Sequence, residues 1–535
     1  MDGLMLDYQL NVPAILRRAE QLFGSSEIAS RLPDKSWHRY TYTDFVRRAK
    51  QLALALRNEL GLVDGDRVGT FAWNHHEHLE VYLGAPAGGL VTHTLNIRLH
   101  PDDLTYIATH GGDRVLVADK VLWPLVEQFK DRVGFEHIIA IGDGPTPEGA
   151  IDFEELLATQ RADNWDDRDL DERMAAGMCY TSGTTGLPKG VLYSHRSIAI
   201  HALTLSGALG MNCNDVCLPV VPMFHANAWC FPFSTTLAGA KHVYPGPHLD
   251  GVSLLDAFES EGVTITAGVP TIWSGILNAL DAEPDRWKLS ALRTMAIGGA
   301  APPRALIEGF GERHGLHITH GWGLTETSPV GTLSGVAGHE AGLSTQEAYT
   351  KRARQGPPLP FVEIRARGDN GLVPWDGVTM GELEIRGASV ASAYYETPEG
   401  ADRFTDDGWF RTGDIATIHP DGYVELQDRA KDLVKSGGEW ISTVALENAL
   451  MGHPAVLEAA VIAVPDEKWS ERPLAVVVFR EGKSADADEL RDFLAPNFAK
   501  WWLPERFEAV DEIPKTAVGK FRKTALRAQF ATQTP

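Results

Sequence analysis

A glycine- and hydroxyl-rich segment in the first half of the chain offers the clearest chemistry in the sequence. Residues 180–190 read Tyr-Thr-Ser-Gly-Thr-Thr-Gly-Leu-Pro-Lys-Gly, with hydroxyl or glycine residues throughout 181–186. Glycines let several backbone N–H groups point at one place, and hydroxyls and an ammonium group add donors, so the segment suits a polyphosphate. Such clusters also form plain surface loops. The density of donors is more than a turn requires, and it favours phosphate binding.

The segment differs from a Walker loop, G-x-x-x-x-G-K-[ST]. The only Gly-Lys-Ser in the chain, at 482–484, has Val477 where the first glycine should stand. The segment instead resembles the phosphate loop of the adenylate-forming superfamily of acyl-CoA synthetases, luciferases and peptide-synthetase adenylation domains. The resemblance implies that ATP contacts Thr181, Ser182, Gly183, Thr184, Thr185 and Lys189.

A second motif, residues 320–327, reads His-Gly-Trp-Gly-Leu-Thr-Glu-Thr. It opens like a dinucleotide fingerprint, but Glu326 stands where the third glycine would be. In the acyl-CoA synthetases this segment holds the adenylate, and the resemblance implies that Glu326 is catalytic and shares Mg²⁺ with Thr181. A carboxylate and phosphates are suitable ligands for this hard cation. The resemblance also implies that the adenosine side of the site contains His320, Gly321, Trp322 (stacked on adenine), Thr325, Gly299 and Ala300.

Two further segments match the family beyond residue 400. Residues 408–414, Gly-Trp-Phe-Arg-Thr-Gly-Asp, resemble the ribose motif, in which the aspartate, here Asp414, accepts hydrogen bonds from both hydroxyls. Residues 428–442 resemble the inter-domain motif. This resemblance implies ribose or nucleotide contacts by Arg429, Lys435 and Trp440, a hinge at Lys431 (also near the nucleotide), and CoA contacts by Gly437, Gly438 and Glu439.

Residues 513–523 match the C-terminal lysine loop of the family, and Lys520 is the predicted catalytic lysine. A carboxylate that attacks the α-phosphate of ATP gathers negative charge at phosphorus and on pyrophosphate, and a positioned ammonium group stabilises that charge. Lys515 and Lys523 are expected to be accessory or solvated. The implied reaction forms acyl-AMP first, and the thiol of CoA then displaces AMP. A C-terminal domain that turns about Lys431 would serve both steps.

The acyl pocket is expected at residues 221–233, Val-Pro-Met-Phe-His-Ala-Asn-Ala-Trp-Cys-Phe-Pro-Phe. Because the run has no acidic residue to hold an α-ammonium group, it favours an apolar carboxylic acid. By resemblance, His225 is a substrate-side and catalytic candidate and Trp229 a possible gate, with core packing as an equal alternative. Gly323 stands where acetate-specific relatives carry a tryptophan, which predicts a longer acyl chain. The motifs look most like those of medium- to long-chain fatty acid ligases, and also resemble those of methylthiopropionate ligases.

Strand-like and helical segments alternate through the first 350 residues, which indicates βαβ units with largely parallel sheets. Residues 143–175 are polar and acidic and are expected to be a connection outside the core. From about residue 356, short strands and glycine-rich turns indicate a β-rich subdomain. We therefore predict an α/β fold with two parallel-type sheets and this subdomain in an N-terminal domain (1–430), followed by a small mobile α+β C-terminal domain (431–535).

Residues 75–78, His-His-Glu-His, could suggest a metal cluster. Adjacent residues on a helix point in several directions, so a solvated helix start is the expected structure. The pair Cys213 and Cys217 lacks a second pair of zinc ligands, and idle thiols are expected there.

Length and composition narrow the classes of function. A chain of 535 residues exceeds the size at which a single core stops growing, and a net charge of −23 argues against non-specific nucleic-acid binding. Four cysteines indicate a reducing compartment, and neither a signal peptide nor a transmembrane segment is apparent, so the cytoplasm is expected. Many relatives are homodimers, which leaves a homodimer possible.

Two other classes of function stay open. One is a luciferase-like oxygenase that uses the same adenylate, and the other is an inactive nucleotide-binding protein. The complete set of Thr181, Glu326, Asp414, Arg429 and Lys520 argues against the second.

Overall fold

The structure is a computed structural model that describes residues 1, 3–181, 187–335, 337–436, 439–466, 468–515 and 521–530. The first part of the chain contains helices α1 (Val12–Phe23), α2 (Tyr42–Asn58), α3 (His76–Ala87), α4 (Pro101–Gly111), α5 (Trp123–Val126), α6 (Lys130–Val133) and α7 (Phe153–Ala158). Its strands are β1 (Glu27–Arg31), β2 (Trp37–Thr41), β3 (Arg67–Phe71), β4 (Val91–Thr94), β5 (Asp113–Asp119), β6 (His137–Ile141) and β7 (Ile151–Asp152).

The central part begins with the strand that precedes the predicted phosphate loop. Its strands are β8 (Ala175–Tyr180), β9 (Gly190–Ser194), β10 (Val216–Pro219), β11 (Lys241–Tyr244), β12 (Ile265–Gly268), β13 (Thr294–Ile297), β14 (Ile318–Gly323) and β15 (Val330–Leu333). Its helices are α8 (His195–Ala208), α9 (Phe231–Ala238), α10 (Gly251–Glu261), α11 (Pro270–Ala282), α12 (Arg304–His314), α13 (Ala337–Glu340) and α14 (Thr345–Ala353).

The last part of the chain is richer in strands. It contains β16 (Val362–Gly368), β17 (Gly371–Leu372), β18 (Gly381–Gly387), β19 (Phe410–Ile418), β20 (Val424–Arg429), β21 (Val434–Ser436), β22 (Glu439–Ile441), β23 (Val456–Asp466), β24 (Ser470–Phe479) and β25 (Arg506–Ala509). Its helices are α15 (Thr443–Met451), α16 (Ala487–Leu494) and α17 (Lys523–Phe530).

Two large, mostly parallel sheets position the predicted site. One has the strand order β7-β6-β5-β3-β4-β8-β9, and the other has the order β15-β14-β13-β12-β10-β11-β1-β2. In the first sheet β8 runs parallel to β4 and antiparallel to β9, so the phosphate loop joins β8 to β9 at the carboxyl end of β8. In the second, β13 and β14 are parallel, and the two adenine-side segments lie just after the carboxyl end of β13 and at the carboxyl end of β14. Ligands of α/β sheets commonly bind at this edge.

Two smaller sheets follow. The strands β17-β16-β18-β19-β20 form an antiparallel sheet, as expected for the β-rich subdomain. The strands β22-β21-β24-β23, with β25 beside β24, form the last sheet, whose core is covered by α15 and α16. The predicted α/β fold with an additional small α+β unit is confirmed.

Two local expectations were wrong. Residues 75–78 are not a solvated helix start, because all four residues are at least nine-tenths buried. Residues 143–175 are not wholly outside the core, because the apolar side chains of α7 pack into a cluster of buried residues behind β3, β5 and β6. In α3 every residue from His76 to Ala87 is buried, including the polar ones, whereas in residues 143–175 the many acidic residues obscured the apolar residues of α7.

No helix in the described part of the chain is both long and apolar enough to span a bilayer.

His201 on α8 has an unusual environment for a polar side chain. It is fully buried, and neither ring nitrogen has a hydrogen-bond partner. Burial lowers the pKa of His201 to about 4, against an ordinary value of 6.5. The imidazole is therefore neutral in the folded protein at neutral pH, where an unpartnered buried polar group costs stability.

We expect His201→Leu to stabilise the protein by about 1–3 kcal/mol at neutral pH, because it removes two unsatisfied nitrogens. The unfolded chain protonates His201 below its ordinary pKa, whereas the folded chain does so only near pH 4, so wild-type stability falls as pH drops through this window. The substitution should flatten that slope by up to about 1.4 kcal/mol per pH unit. Urea unfolding between pH 4.5 and 7 measures both effects.

The matched control is His137→Leu, at a half-buried position on β6. An equal change of slope in both variants would contradict the assignment of the effect to burial of His201.

Candidate active site

The two ends of the phosphate loop are joined by backbone hydrogen bonds. The N–H of Thr181 donates to the carbonyl of Lys189 (2.9 Å), and the N–H of Lys189 donates to the Thr181 hydroxyl (3.1 Å). The N–H of Tyr395 donates to the carbonyl of Gly190 (2.8 Å), which ties the β-rich subdomain to the same loop. Residues 182–186, with the predicted phosphate ligands Ser182 to Thr185, lie outside the described residues.

Tyr394 connects the phosphate loop to the predicted magnesium ligand. Its hydroxyl donates to Glu326 Oε1 (2.5 Å), and the ammonium group of Lys189 lies 4.9 Å from the centre of its ring. Burial and the neighbouring carboxylate raise the pKa of Tyr394, so the phenol stays protonated and acts as a donor. Glu326 is buried on a short turn directly after β14, whose Thr325 carbonyl accepts a hydrogen bond from Tyr193 (2.7 Å). Hydrogen bonds at Thr325 and at Glu326 therefore hold this turn in place.

A hydrogen-bonded set surrounds the predicted ribose ligand. Trp322 Nε1 donates to Asp414 Oδ2 (2.9 Å), and Arg429 Nε pairs with Asp414 Oδ1 (2.7 Å). Asp414 is 3% exposed, so both oxygens need such partners. The antiparallel register of β19 and β20 places Asp414 opposite Arg429, and β14 supplies Trp322. The three residues come from distant parts of the sequence and meet at one carboxylate.

The predicted adenine-side residues lie at the ends of β13 and β14. His320 is buried, its ring is bonded to the carbonyl of Ala353 (2.9 Å), and burial lowers its pKa to about 4. The contact with Ala353 therefore holds the ring of His320 in place. Gly321 is the next residue of the same strand. Gly299 follows β13 with φ +82°, a conformation that favours glycine, and precedes Ala300.

The predicted acyl segment forms a tight turn with unusual backbone geometry. Residues 226–230 have φ between +44° and +69°, and Trp229 is half-buried among them. A Cβ built on Gly298 would lie 2.9 Å from the Trp229 ring, so that ring rests on the glycine that precedes the adenine segment. His225, at the start of this turn, is half-buried. The structure thus brings the predicted acyl and adenine segments together.

Gly323 has a backbone reason to be a glycine, in addition to the open acyl pocket that we predict from the sequence. A Cβ at this position would lie 1.7 Å from the carbonyl oxygen of Pro329, where the pairing of β14 and β15 is irregular. Any side chain would collide with the neighbouring backbone. Close backbone approach accounts for the glycine in this chain, and its presence alone does not show an open acyl pocket.

The predicted hinge and its neighbours lie between β20 and β22. Lys431 keeps much of its surface exposed to solvent. Partial desolvation and the positive charges of the nearby Arg429 and Arg527 nevertheless lower its pKa. The ammonium group of Lys435 lies 4.4 Å from the ring centre of Trp440, its partner in the β21–β22 pairing. The predicted CoA residues Gly437 and Gly438, the side chain of Glu439 and the catalytic candidate Lys520 lie outside the described residues.

The two lysines that flank the predicted catalytic lysine, which were expected to be accessory or solvated, are both paired. Lys523 is buried and therefore not solvated, whereas Lys515 stays partly exposed. Lys515 contacts Glu458 (2.6 Å) on β23. Lys523 is buried and pairs with Glu447 (2.7 Å). Lys523 also donates to the hydroxyl of Thr443, which in turn donates to Asp428. A buried ammonium group needs such partners, and no spacing in the sequence indicated them.

Three contributions to the site could not be predicted from the sequence: the Tyr394 hydroxyl, the indole N–H of Trp322 and the Tyr193 hydroxyl. Tyr394 stands in no recognisable pattern, and Trp322 was assigned a stacking role through its ring. Their contacts join β9, β14 and the segment before β19, and such pairings depend on the packed sheets.

Comparison with known proteins shows the family of enzymes to which the chain belongs. The model of the AMP-binding enzyme family matches residues 18–395, and that of the AMP-binding enzyme C-terminal domain matches residues 445–520. The chain belongs to the AMP-binding enzyme family.

Particular relatives are similar over nearly their whole length. A long-chain-fatty-acid–CoA ligase of Thermus thermophilus is 48% identical over 98% of this chain and 96% of its own. A 3-methylmercaptopropionyl-CoA ligase of Ruegeria lacuscaerulensis is 41% identical over 99% of both chains. The solved structure of the anthranilate CoA ligase AuaEII with anthranoyl-AMP superposes with a TM-score of 0.87 at 25% identity, over 99% of both chains.

We expect Trp322→Phe to raise the KM for ATP about tenfold, because it removes one hydrogen bond to a charged group while keeping an aromatic ring. The effect at saturating ATP should be smaller. Pyrophosphate release at varied ATP concentration measures both quantities.

Trp273→Phe is the control, since Trp273 Nε1 donates to the carbonyl of Ala296 (3.2 Å) inside the second sheet. That variant should lose stability with the KM for ATP unchanged. An unchanged KM in Trp322→Phe would show that the indole N–H does not position Asp414.

Proposed function

We propose that this chain is an AMP-forming acid–CoA ligase that activates a fatty acid with ATP and transfers the acyl group to CoA. The observation that carries the proposal is the arrangement around the end of β14. Trp322 contacts Asp414 on one side, and Glu326 contacts Tyr394 beside Lys189 on the other. One strand end thus joins a ribose-type carboxylate, a metal-type carboxylate and the phosphate loop.

In the first step, a carboxylate oxygen of the fatty acid attacks the α-phosphorus of ATP, and the bond to pyrophosphate breaks. Asp414 would accept hydrogen bonds from the ribose hydroxyls, with its orientation fixed by Trp322 and Arg429. Lys189 would add positive charge beside the phosphates.

The donor set fits Mg²⁺. Glu326 offers a buried carboxylate, and Thr181 offers a hydroxyl oxygen at the edge of the phosphate loop. These are hard oxygen ligands of the kind that magnesium takes together with substrate phosphates. When bound, the ion would neutralise charge on the phosphates, while Tyr394 holds Glu326 in place.

In the second step, the thiol sulfur of CoA attacks the acyl carbon, and AMP leaves. We infer that residues 431–535 turn about Lys431 between the steps, and that Lys520 serves the first and residues 437–439 the second. A boundary near residue 430 agrees with the change of sheet between β20 and β21.

The acyl group would lie against the segment 221–233. Its large apolar residues Val221, Met223, Phe224, Phe231 and Phe233 are all buried, which suits an apolar acid. The Trp229 ring on Gly298 would form the wall nearest the nucleotide, with His225 beside it. We expect a medium- to long-chain acid, in line with the Thermus relative, and the Ruegeria relative keeps a short thioether acid as the alternative.

We expect that the protein resides in the cytoplasm and that it can form a homodimer. Leu4, Met5 and Leu6 expose most of their apolar surface, which is more typical of a segment that another chain covers. Cys179, Cys217 and Cys230 are buried free thiols, in keeping with a reducing compartment.

We expect Lys520→Ala to abolish formation of acyl-AMP but to spare thioester formation from supplied acyl-AMP, because the ammonium group stabilises only the adenylation transition state. Pyrophosphate release and acyl-CoA formation measure the two steps separately. Lys515→Ala is the control, because Lys515 is occupied by Glu458. If Lys520→Ala lost both steps equally, the assignment of Lys520 to the adenylation step alone would be wrong.

Chain length is tested with methylthiopropionate, octanoate and palmitate, each with and without CoA. We expect the highest kcat/KM with octanoate or palmitate and CoA-dependent release of AMP. A clear preference for methylthiopropionate would reverse the substrate assignment. Oxygen uptake with acyl-AMP would instead indicate the oxygenase alternative.

A further inference from the structure

A cavity of 520 Å³ lies at the carboxyl ends of β3, β5 and β6. The chain crosses from one side of β3 to the other between β4 and β5, and such switch points are common ligand sites in α/β sheets. Among the described residues that line it, none belongs to the predicted ATP, acyl or CoA sites. Its chemistry is therefore separate from the reaction proposed above.

Three buried side chains with metal-binding atoms line this cavity at the start of α3. His75, His76 and Glu77 are each more than nine-tenths buried, and one possible ligand atom from each lies within 4.8 Å of the others. His76 Nδ1 has no hydrogen-bond partner, whereas His75 Nε2 faces the carboxylate of Asp119 at 3.3 Å. Buried imidazole nitrogens are normally paired, so His76 Nδ1 lacks the partner that a cation would supply.

The two carboxylates beside His75 are placed as they are in metal sites. Glu77 Oε2 lies 3.6 Å from His75 Nδ1, close to the separation of about 3.3–3.6 Å between neighbouring ligands of a tetrahedral zinc ion. Asp119 Oδ2, at the end of β5, lies 3.3 Å from His75 Nε2 on the opposite side of the ring. A carboxylate that faces the second nitrogen of a ligating histidine fixes its tautomer and orientation.

The contacts around the cluster orient its three side chains. Glu77 Oε1 accepts a hydrogen bond from the backbone of Gly142 (3.0 Å), which orients the carboxylate and leaves Oε2. The N–H of His78 donates a long hydrogen bond (3.4 Å) to His75 Nδ1, and a cation bound at that nitrogen would replace it. His76 stacks on His38 with ring centres 3.9 Å apart, which holds its plane.

The charge of the cavity favours a cation. Five carboxylate side chains and three arginines line its described part. One of these arginines, Arg48, is already paired with Glu80 (2.7 Å) of α3 and with Glu154 (2.5 Å). Its charge is therefore compensated locally, and the carboxylates of Glu77 and Asp119 are left to balance a bound cation.

We propose that His75, His76 and Glu77 bind one divalent transition cation of the zinc type, with Asp119 orienting His75. Two imidazoles and one carboxylate suit Zn²⁺ or Co²⁺, whereas Mg²⁺ prefers an all-oxygen shell with several waters. A water molecule in the cavity would complete the coordination. The cation would join the start of α3 to the segment at Gly142 and, through His75, to β5, so its effect is structural.

Co²⁺ and Zn²⁺ binding tests the proposal in untagged full-length protein without ATP. All variants carry Cys213→Ser, because the exposed Cys213 thiol is a competing ligand. We expect one equivalent of Co²⁺ to give a visible absorption band that Zn²⁺ abolishes, and Zn²⁺ to raise the Tm. His76→Gln and Glu77→Gln should weaken the affinity at least tenfold, and Asp119→Asn about tenfold.

His100→Gln is the matched control, since His100 lies beside Asp102 at the start of α4 but is mostly exposed. It should bind the metal like its parent. The proposal fails if the parent gives no stoichiometric band, or if His76→Gln and Glu77→Gln bind as tightly as the parent. Circular dichroism checks that the variants fold, and if Glu77→Gln does not, His76→Gln decides the result alone.

Discussion

The arrangement of the site depends on the contacts that the buried carboxylate of Asp414 makes with Trp322 and Arg429. A carboxylate at 3% exposure is costly unless its oxygens have partners, and here both do. The indole N–H of Trp322 comes from the second large sheet, and the guanidinium group of Arg429 comes from the β-rich sheet. Removing either donor would leave part of a buried charge unsatisfied, so the two sheets are held at one relative position.

Adjacent residues of β20 connect this carboxylate to the end of the chain. Arg429 faces Asp414, while Asp428, which precedes it, accepts from the backbone N–H of Thr443 (2.9 Å). Successive side chains of a strand point to opposite faces, so one short segment contacts both the nucleotide side and α15. Lys523 and Glu447 complete the second contact as a buried pair. The predicted hinge, Lys431, lies only two residues beyond this double contact.

Sequence patterns could predict much of this structure because they report on local chemistry. The alternation of strands and helices indicated the parallel sheets, and the dense donors of residues 180–190 indicated a phosphate loop, which the structure shows to lie between β8 and β9. Side-chain partners were harder to predict, since Trp322 and Asp414 are 92 residues apart and only the packed sheets bring them together. Burial explains the errors at His75–His78 and Lys523, because most buried polar residues depend on groups that are distant in the sequence, and residue spacing does not report those groups. The close approach of the Pro329 carbonyl to Gly323 is a backbone contact that likewise could not be predicted from the sequence.

The contacts of Asp428 also bear on the rotation proposed for residues 431–535. Asp428 belongs to β20, whereas Thr443 follows the hinge, so a turn about Lys431 would have to break the two hydrogen bonds that Thr443 donates to Asp428 and expose a buried carboxylate. Hydrogen bonds to a charged group contribute about 1.5–3 kcal/mol each. A ligand can shift such an equilibrium only by the difference in its affinity for the two arrangements. Acyl-AMP and CoA would therefore have to favour the turned arrangement by a comparable amount, and the Asp428–Thr443 contact sets the scale of that requirement.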